Sequence, residues 1–241
     1  MPALDDALDD LVAASHILAT EGVVDRFGHV TIRHPERPDR FFLSRTRAAE
    51  LVRRDDLLEF GLDGQPVEPT TQRIFAERII HAAVYRLRPD VMAVCHHHAP
   101  AMLPFCIADV PLVPVFHLGA TMGSPVPVWD SQAEFGDTNL LVATEDQGLS
   151  LARALGPHWT VLMRGHGVTV VGRTLRELVF RSIYGMRNAE TLLAARQLGP
   201  IRRLTPGEAA AAEEFNLKPF ATDRAWEQWK RRAARAGAGQ D

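Results

Sequence analysis

Cysteine is scarce: only Cys95 and Cys106 occur in 241 residues. Two cysteines cannot build a disulfide framework and fit a reducing compartment, so a cytoplasmic protein is expected. No apolar run approaches the ~18 residues that signal a membrane span. The start Met1-Pro2-Ala3-Leu4-Asp5-Asp6 lacks both the basic and the apolar region of an export signal, so no membrane partner is expected. Positive charge is not in excess either, because 27 Lys and Arg stand against 30 Asp and Glu, a formal net charge of -3. That balance leaves no electrostatic footprint for nucleic acid, and any anionic partner must be a small molecule held locally. Internal repeats are absent, and no linker is rich enough to divide the chain. One domain over residues 1–241 is expected, with a tail rich in Ala, Gly and Arg that frays from about residue 231.

What remains is a globular composition, 46% hydrophobic and 24% charged. Leu8, Leu11, Val12, Ser15 and Leu18 recur at helical spacing behind an acidic start, which predicts a helix over residues 4–20. Residues 30–33 and 41–43 read as an antiparallel pair, and residues 51–65 as a second hairpin turning at Asp63-Gly64. Residues 73–88 carry no Gly or Pro, so a helix there sets Glu77 and His81 one turn apart on one face. Pro89 ends it, and the compact run Val91 to Cys95 reads as a buried strand. A helical stretch over residues 99–107 and a mostly helical one over 140–155 follow. Residues 159–163 and 168–171 form a hairpin with His166 in its turn, and Thr174-Leu175-Arg176-Glu177 caps one long helix to Gln197.

The ten histidines are the compositional oddity, since His96, His97 and His98 are consecutive at the end of the buried strand. Alternate side chains of a strand share a face, so His96 and His98 converge while His97 points away and serves support or subunit contact. Two neutral imidazoles suit zinc, manganese, iron or copper but need a further ligand. His166 is the candidate, because Gly165 and Gly167 beside it permit close approach and unusual dihedral angles. By itself a His-x-His pair is as often a polar surface run as a metal site. Glu77 is the carboxylate of the preceding helix that can face the site, either as a further ligand, as a general acid/base, or as an ordinary solvated glutamate. His81 either braces Glu77 or packs in the core. Trp226 and Trp229, three apart on a C-terminal helix, pack against the core more often than they wall a pocket.

Together, Glu77 through Tyr85-Arg86-Leu87-Arg88-Pro89-Asp90, then Val94-Cys95-His96-His97-His98-Ala99-Pro100, then Leu162-Met163-Arg164-Gly165-His166-Gly167-Val168, resemble the class II aldolase/adducin family in order and spacing. The resemblance spans roughly residues 8–196. It implies an α/β fold, a three-layer α/β/α sandwich around a mostly antiparallel sheet, usually a homotetramer with active sites at subunit interfaces. It also implies that His96, His98 and His166 hold one divalent metal ion per subunit, zinc, manganese or iron, and that Glu77 is the catalytic acid/base. His117 falls where the family reaches into a neighbouring subunit's site.

Sugar-phosphate members carry a Ser-Gly-Asn-Val-Ser stretch and a Ser-Ser pair before the glutamate. Here Phe27-Gly28-His29-Val30-Thr31 and Phe75-Ala76 stand in those places. The segments around His29 and Phe42-Leu43-Ser44-Arg45-Thr46-Arg47 instead resemble the branch of metal-dependent decarboxylases of hydroxylated aromatic or pyridine dicarboxylates. For such a substrate Arg45 or Arg47 can grip one carboxylate bidentately, with Ser44 beside them and His29 on the ring hydroxyl or a carboxylate. The metal would chelate the ring hydroxyl and the departing carboxylate, and Glu77 would protonate the ring carbon. The expected activity is therefore a metal-dependent carbon–carbon lyase. Retro-aldol cleavage of a small hydroxy-carbonyl compound is the alternative, followed by a non-catalytic adducin-like interaction protein and an iron-dependent oxygenase.

Overall fold

A computed structural model describes residues 3–237. Helix α1 (Leu4–Thr20) opens the chain with Asp5 and Asp6 in its first turn, where the helix dipole favours negative charge, and buries Leu8, Leu11, Ser15 and Leu18. Strands β1 (His29–Arg33), β2 (Arg40–Ser44) and β3 (Leu57–Gly61) follow, then α2 (Arg78–Leu87), β4 (Ala93–His97) and α3 (Leu103–Ile107). After β5 (Val128–Trp129) and α4 (Ser131–Phe135) come α5 (Glu145–Leu155), β6 (Thr160–Met163) and β7 (Gly167–Gly172). Three helices close the chain: α6 (Leu175–Arg196), α7 (Pro206–Asn216) and α8 (Pro219–Gly237).

The strands form one seven-stranded sheet in the order β3-β2-β1-β4-β7-β6-β5. Every neighbouring pair is antiparallel except β5 and β6. Alternation along the strands splits the core into two layers. Val30, Ile32, Ala93, Cys95, Val168 and Val170 face α1, α6 and α8. Phe41, Leu43, Val94, Val161, Met163 and Val171 face α2 and α5. This is the expected three-layer sandwich, and the antiparallel sheet is buried on both faces because helices cover each.

Several local expectations change. Helix α2 starts at Arg78, so residues 73–77 are not helical and Glu77 stands immediately before its first turn. Residues 51–65 hold one strand, β3, which pairs with β2, while the Asp63-Gly64 turn leads only to a bridge between Phe60 and Pro66. The short helix α3 covers only the second half of residues 99–107. Residues 231–237, expected to fray, continue α8, and Ala233 is buried in the α1/α6/α8 layer. The remainder of that tail lies outside the described residues. Trp226 and Trp229 are core residues, with Trp229 packed on Phe180 and Tyr184 of α6. Among the described residues no helix is long and apolar enough to cross a membrane.

Candidate active site

Strand β4 lies at the centre of the sheet, paired to β1 with His29 opposite His96 and to β7 with His96 opposite Thr169. His96 has the parity of Val94, so its ring stands on the α2/α5 face. His98 follows the strand end, and His166 sits in the β6–β7 turn. One ligand atom from each of His96, His98 and His166 falls within 4.8 Å of the others. Glycines make this approach possible. Gly165 has φ +66°, the left-handed region that suits glycine, and a Cβ on Gly167 would meet the His97 carbonyl oxygen at 2.6 Å and the His98 ring at 2.7 Å.

The back of the cluster dictates its chemistry. His96 Nδ1 lies 3.1 Å from the Val168 carbonyl oxygen, and His98 Nδ1 lies 3.2 Å from Asp25 Oδ1. Each Nδ1 must donate to an oxygen that can only accept, so each Nε2 carries a bare lone pair. Those two Nε2 atoms approach to 3.1 Å. Two lone pairs at that separation repel unless a cation lies between the rings. The donor set thus fits a divalent metal, and the Asp25–His98 pair is the carboxylate–histidine arrangement that orients metal ligands.

Protonation agrees with this. Burial drives His96 well below the ordinary imidazole value, aided by His29, His166 and His98. Burial and then His98 hold His166 down at about 4, and burial takes His29 and His97 to about 3. Burial alone would raise the Asp25 carboxyl, but the Phe27 N–H, His98 and the Gly28 N–H outweigh it and hold it below its ordinary value. These histidines are neutral when folded, whereas an unfolded chain takes up protons below about pH 6.5. Stability is therefore full above that pH and falls as pH drops toward 4 and then 3. The thermal midpoint of the metal-free protein, followed by circular dichroism, is expected to decrease steadily from pH 7 to pH 4. An unchanged midpoint over that range would mean that the imidazoles are solvated and charged.

Glu77 straddles the cluster. Its Oε1 lies 3.6 Å from His166 Nε2 and its Oε2 lies 3.6 Å from His96 Nε2. The Val142 N–H donates to Oε1 at 3.1 Å. Burial raises the carboxyl above its ordinary value, and Val142 and then His98 only partly offset this.

The other expected residues divide. His29 is buried beside Phe75, with ring centroids 4.5 Å apart. His81 does not brace Glu77. It bonds His29 Nδ1 at 2.7 Å and the Thr31 hydroxyl at 2.8 Å. Arg45 and Arg47 both contact Asp56 Oδ1, at 2.6 and 3.2 Å, and are not free cations. Burial would raise the Asp56 carboxyl, but the Arg53 N–H, Arg45 and Arg47 hold it below its ordinary value. Ser44 shares the parity of Phe42, which packs in the α1/α6/α8 layer, so the structure does not bring its hydroxyl to the imidazole face. His117 is exposed beside Phe180, Phe215 and Phe220 in a groove between α6, α7 and α8, apart from its own chain's cluster. Asp25 and Val142, which support His98 and Glu77, carry no spacing signal in the sequence.

A family model described as Class II Aldolase and Adducin N-terminal domain matches residues 9–193. The chain belongs to this family. It is 33% identical to the decarboxylase tropJ of Talaromyces stipitatus over 94% of this chain and 93% of that protein. It is 29% identical to a 3,4-dihydroxyphthalate decarboxylase of Terrabacter sp., covering 83% of this chain and 85% of that one. Among solved structures, an L-fuculose 1-phosphate aldolase from Glaciozyma antarctica superposes with a TM-score of 0.80 at 23% identity, over 98% of this chain and 92% of the other, a likeness of fold. The family and its decarboxylase relatives support a lyase.

Proposed function

We propose that the protein is a metal-dependent lyase that removes CO2 from a hydroxylated aromatic or pyridine dicarboxylate. The observation that carries this reading is Glu77 set against both His96 and His166 with one oxygen occupied by a backbone donor. A divalent ion held by His96, His98 and His166 would supply Lewis acidity toward a substrate oxygen.

Glu77 performs the proton transfers. Because Oε1 already accepts from Val142, Oε2 is the oxygen that carries the proton. Glu77 takes the proton of the ring hydroxyl ortho to the departing carboxylate. The bond between ring carbon and carboxylate then breaks, CO2 leaves, and the electron pair stays on the ring. Glu77 returns its proton to that carbon, and the hydroxylate oxygen regains one from solvent on release.

The retained carboxylate meets Arg45 and Arg47. Extending the β1–β2 register sets Arg45 opposite His29, hence two strands, about 10 Å, from His96. Two guanidinium groups share the single Asp56 carboxylate, which leaves one net positive charge and free terminal N–H donors for a substrate anion. Phe75 and Ala76 in place of hydroxyl side chains offer no phosphate cradle. His117 lines a groove between α6, α7 and α8 that contains none of His96, His98 and His166, so its role at the substrate is assigned to a neighbouring copy, in keeping with a homotetramer with interface sites.

Metal-loaded enzyme is incubated with hydroxylated benzene and pyridine dicarboxylates, 3,4-dihydroxyphthalate included, beside sugar phosphates and hydroxy-aldehydes, with mass spectrometry and oxygen uptake as readouts. Loss of CO2 from a dicarboxylate without oxygen consumption is expected, and Arg45→Ala should raise KM roughly tenfold or more by removing a charged hydrogen bond. Cleavage confined to the second panel identifies a retro-aldolase instead, and oxygen uptake an oxygenase.

A further inference from the structure

Behind His29 runs a chain of buried polar groups. Thr31 Oγ1 lies 2.8 Å from the Tyr85 hydroxyl and 2.8 Å from His81 Nδ1, and His81 Nε2 lies 2.7 Å from His29 Nδ1. All four side chains are within 2% of full burial. The other His29 nitrogen, Nε2, is buried without a hydrogen-bond partner among the described residues, on a ring 5.5 Å from that of His96. Since Nδ1 points to α2, Nε2 points away from it.

Hydrogen counting fixes a direction along this chain. The buried Tyr85 phenol keeps its proton, and Thr31 Oγ1 is the side-chain acceptor within reach. Thr31 has one hydrogen to give, either to His81 Nδ1 at 2.8 Å or to the Val94 carbonyl at 3.4 Å. The 2.8 Å contact is the stronger of the two, and donation along it gives the hydrogen to His81 Nδ1. His81 then bears its hydrogen on Nε2 and donates it to His29 Nδ1. His29 in turn carries its own hydrogen on Nε2, where no atom of the described residues receives it.

We propose that Tyr85, Thr31 and His81 are positioning residues that fix His29 as a neutral Nε2–H donor for an anionic oxygen of the substrate, a carboxylate or ring hydroxylate. This rests on the imidazole cluster being the active site. A donor of this kind stabilises charge that develops on oxygen and cannot act as a base, which leaves proton transfer to Glu77. A network that merely filled core space would satisfy its own members and leave no buried donor orphaned.

The test is nitrogen NMR of zinc-loaded protein labelled at histidine, with His29 and His81 assigned by His29→Asn and His81→Asn. Both rings are expected as Nε2–H tautomers, and added 3,4-dihydroxybenzoate, an inert anionic probe, should shift the His29 Nε2 resonance. Thr31→Val should scramble the His29 tautomer and lower kcat roughly tenfold with zinc content and KM unchanged, and Thr31→Ser should restore both. Hydrogen on His29 Nδ1, or a Thr31→Val enzyme with unaltered kcat, overturns the proposal. If Thr31→Val fails to fold, the wild-type spectrum still decides. The expected tautomers in a protein that releases no CO2 from any dicarboxylate would support the relay and refute the decarboxylase reading.

Discussion

Glu77→Gln enzyme is expected to bind metal at the wild-type level and to lose kcat by about 10²–10⁴-fold, the usual contribution of a positioned proton-transfer group. The substitution is nearly isosteric, and the glutamine carbonyl oxygen can still accept the Val142 N–H that now ends on Oε1. Fold and loop position are therefore preserved while Oε2 becomes an amide NH2 that neither accepts nor releases a proton in the reaction. The imidazole nitrogens of His96 and His166 stand 3.6 Å from the carboxylate, beyond hydrogen-bond range. Removing the charge thus leaves His96 with its own support on the Val168 carbonyl and takes no hydrogen bond from His166. Metal analysis and steady-state rates on the same preparation check both halves. A variant within about twofold of wild-type kcat would remove Glu77 from the proton path, and loss of metal together with activity would make it a ligand instead.

Much of the fold was legible because its signals are local. The amphipathic helix α1, the Thr174-capped helix α6, the β1–β2 pair and the β6–β7 hairpin follow from periodicity and turn chemistry, and each appears where expected. The start of α2 was not legible, because residues 73–77 contain no Gly or Pro to mark a boundary. What stops the helix there is tertiary: Glu77 is held by the Val142 backbone from a loop 65 residues away, and the Thr46 N–H bonds the Arg73 carbonyl. The opening of α5 at Glu145 was equally hidden in an apolar-rich stretch, although Thr144 and Gln147 form a reciprocal cap there.

The site shows the same division between local and long-range information. Strand parity brought His96 and His98 together and sent His97 to the other face, where it is buried and bonds the Ala99 N–H. Parity likewise separates Ser44 from His29, a step the motif likeness alone passed over. Asp25 was invisible, since an aspartate before Phe27-Gly28 looks like any turn residue until His98 is folded against it. Of the two roles open to His81, packing in the core is the one the structure shows, because Glu77 lies outside the regular helix and His81 bonds His29 and Thr31 instead. The sequence does not reveal that Asp56, 11 and 9 residues on, folds back between Arg45 and Arg47.

His98→Ala protein is expected to retain under a tenth of the metal that wild type carries, and activity should disappear with it. The ring supplies one of three imidazole ligand atoms, and two imidazoles do not make a competent site for the ions considered. Asp25→Asn is the more informative partner. An amide can still accept from His98 Nδ1, but the carboxylate charge that raises the basicity of the ring is gone, so metal affinity should drop about 10–100-fold without unfolding the site. Competition with a chelator, read by metal analysis, separates the two. Zinc, manganese and iron added singly to the stripped protein establish which ion restores activity. Undiminished metal binding in His98→Ala would show that the close approach of His96 and His98 serves packing. Graded loss across Asp25→Asn and His98→Ala would mean that the two lone pairs are held 3.1 Å apart because a cation belongs between them.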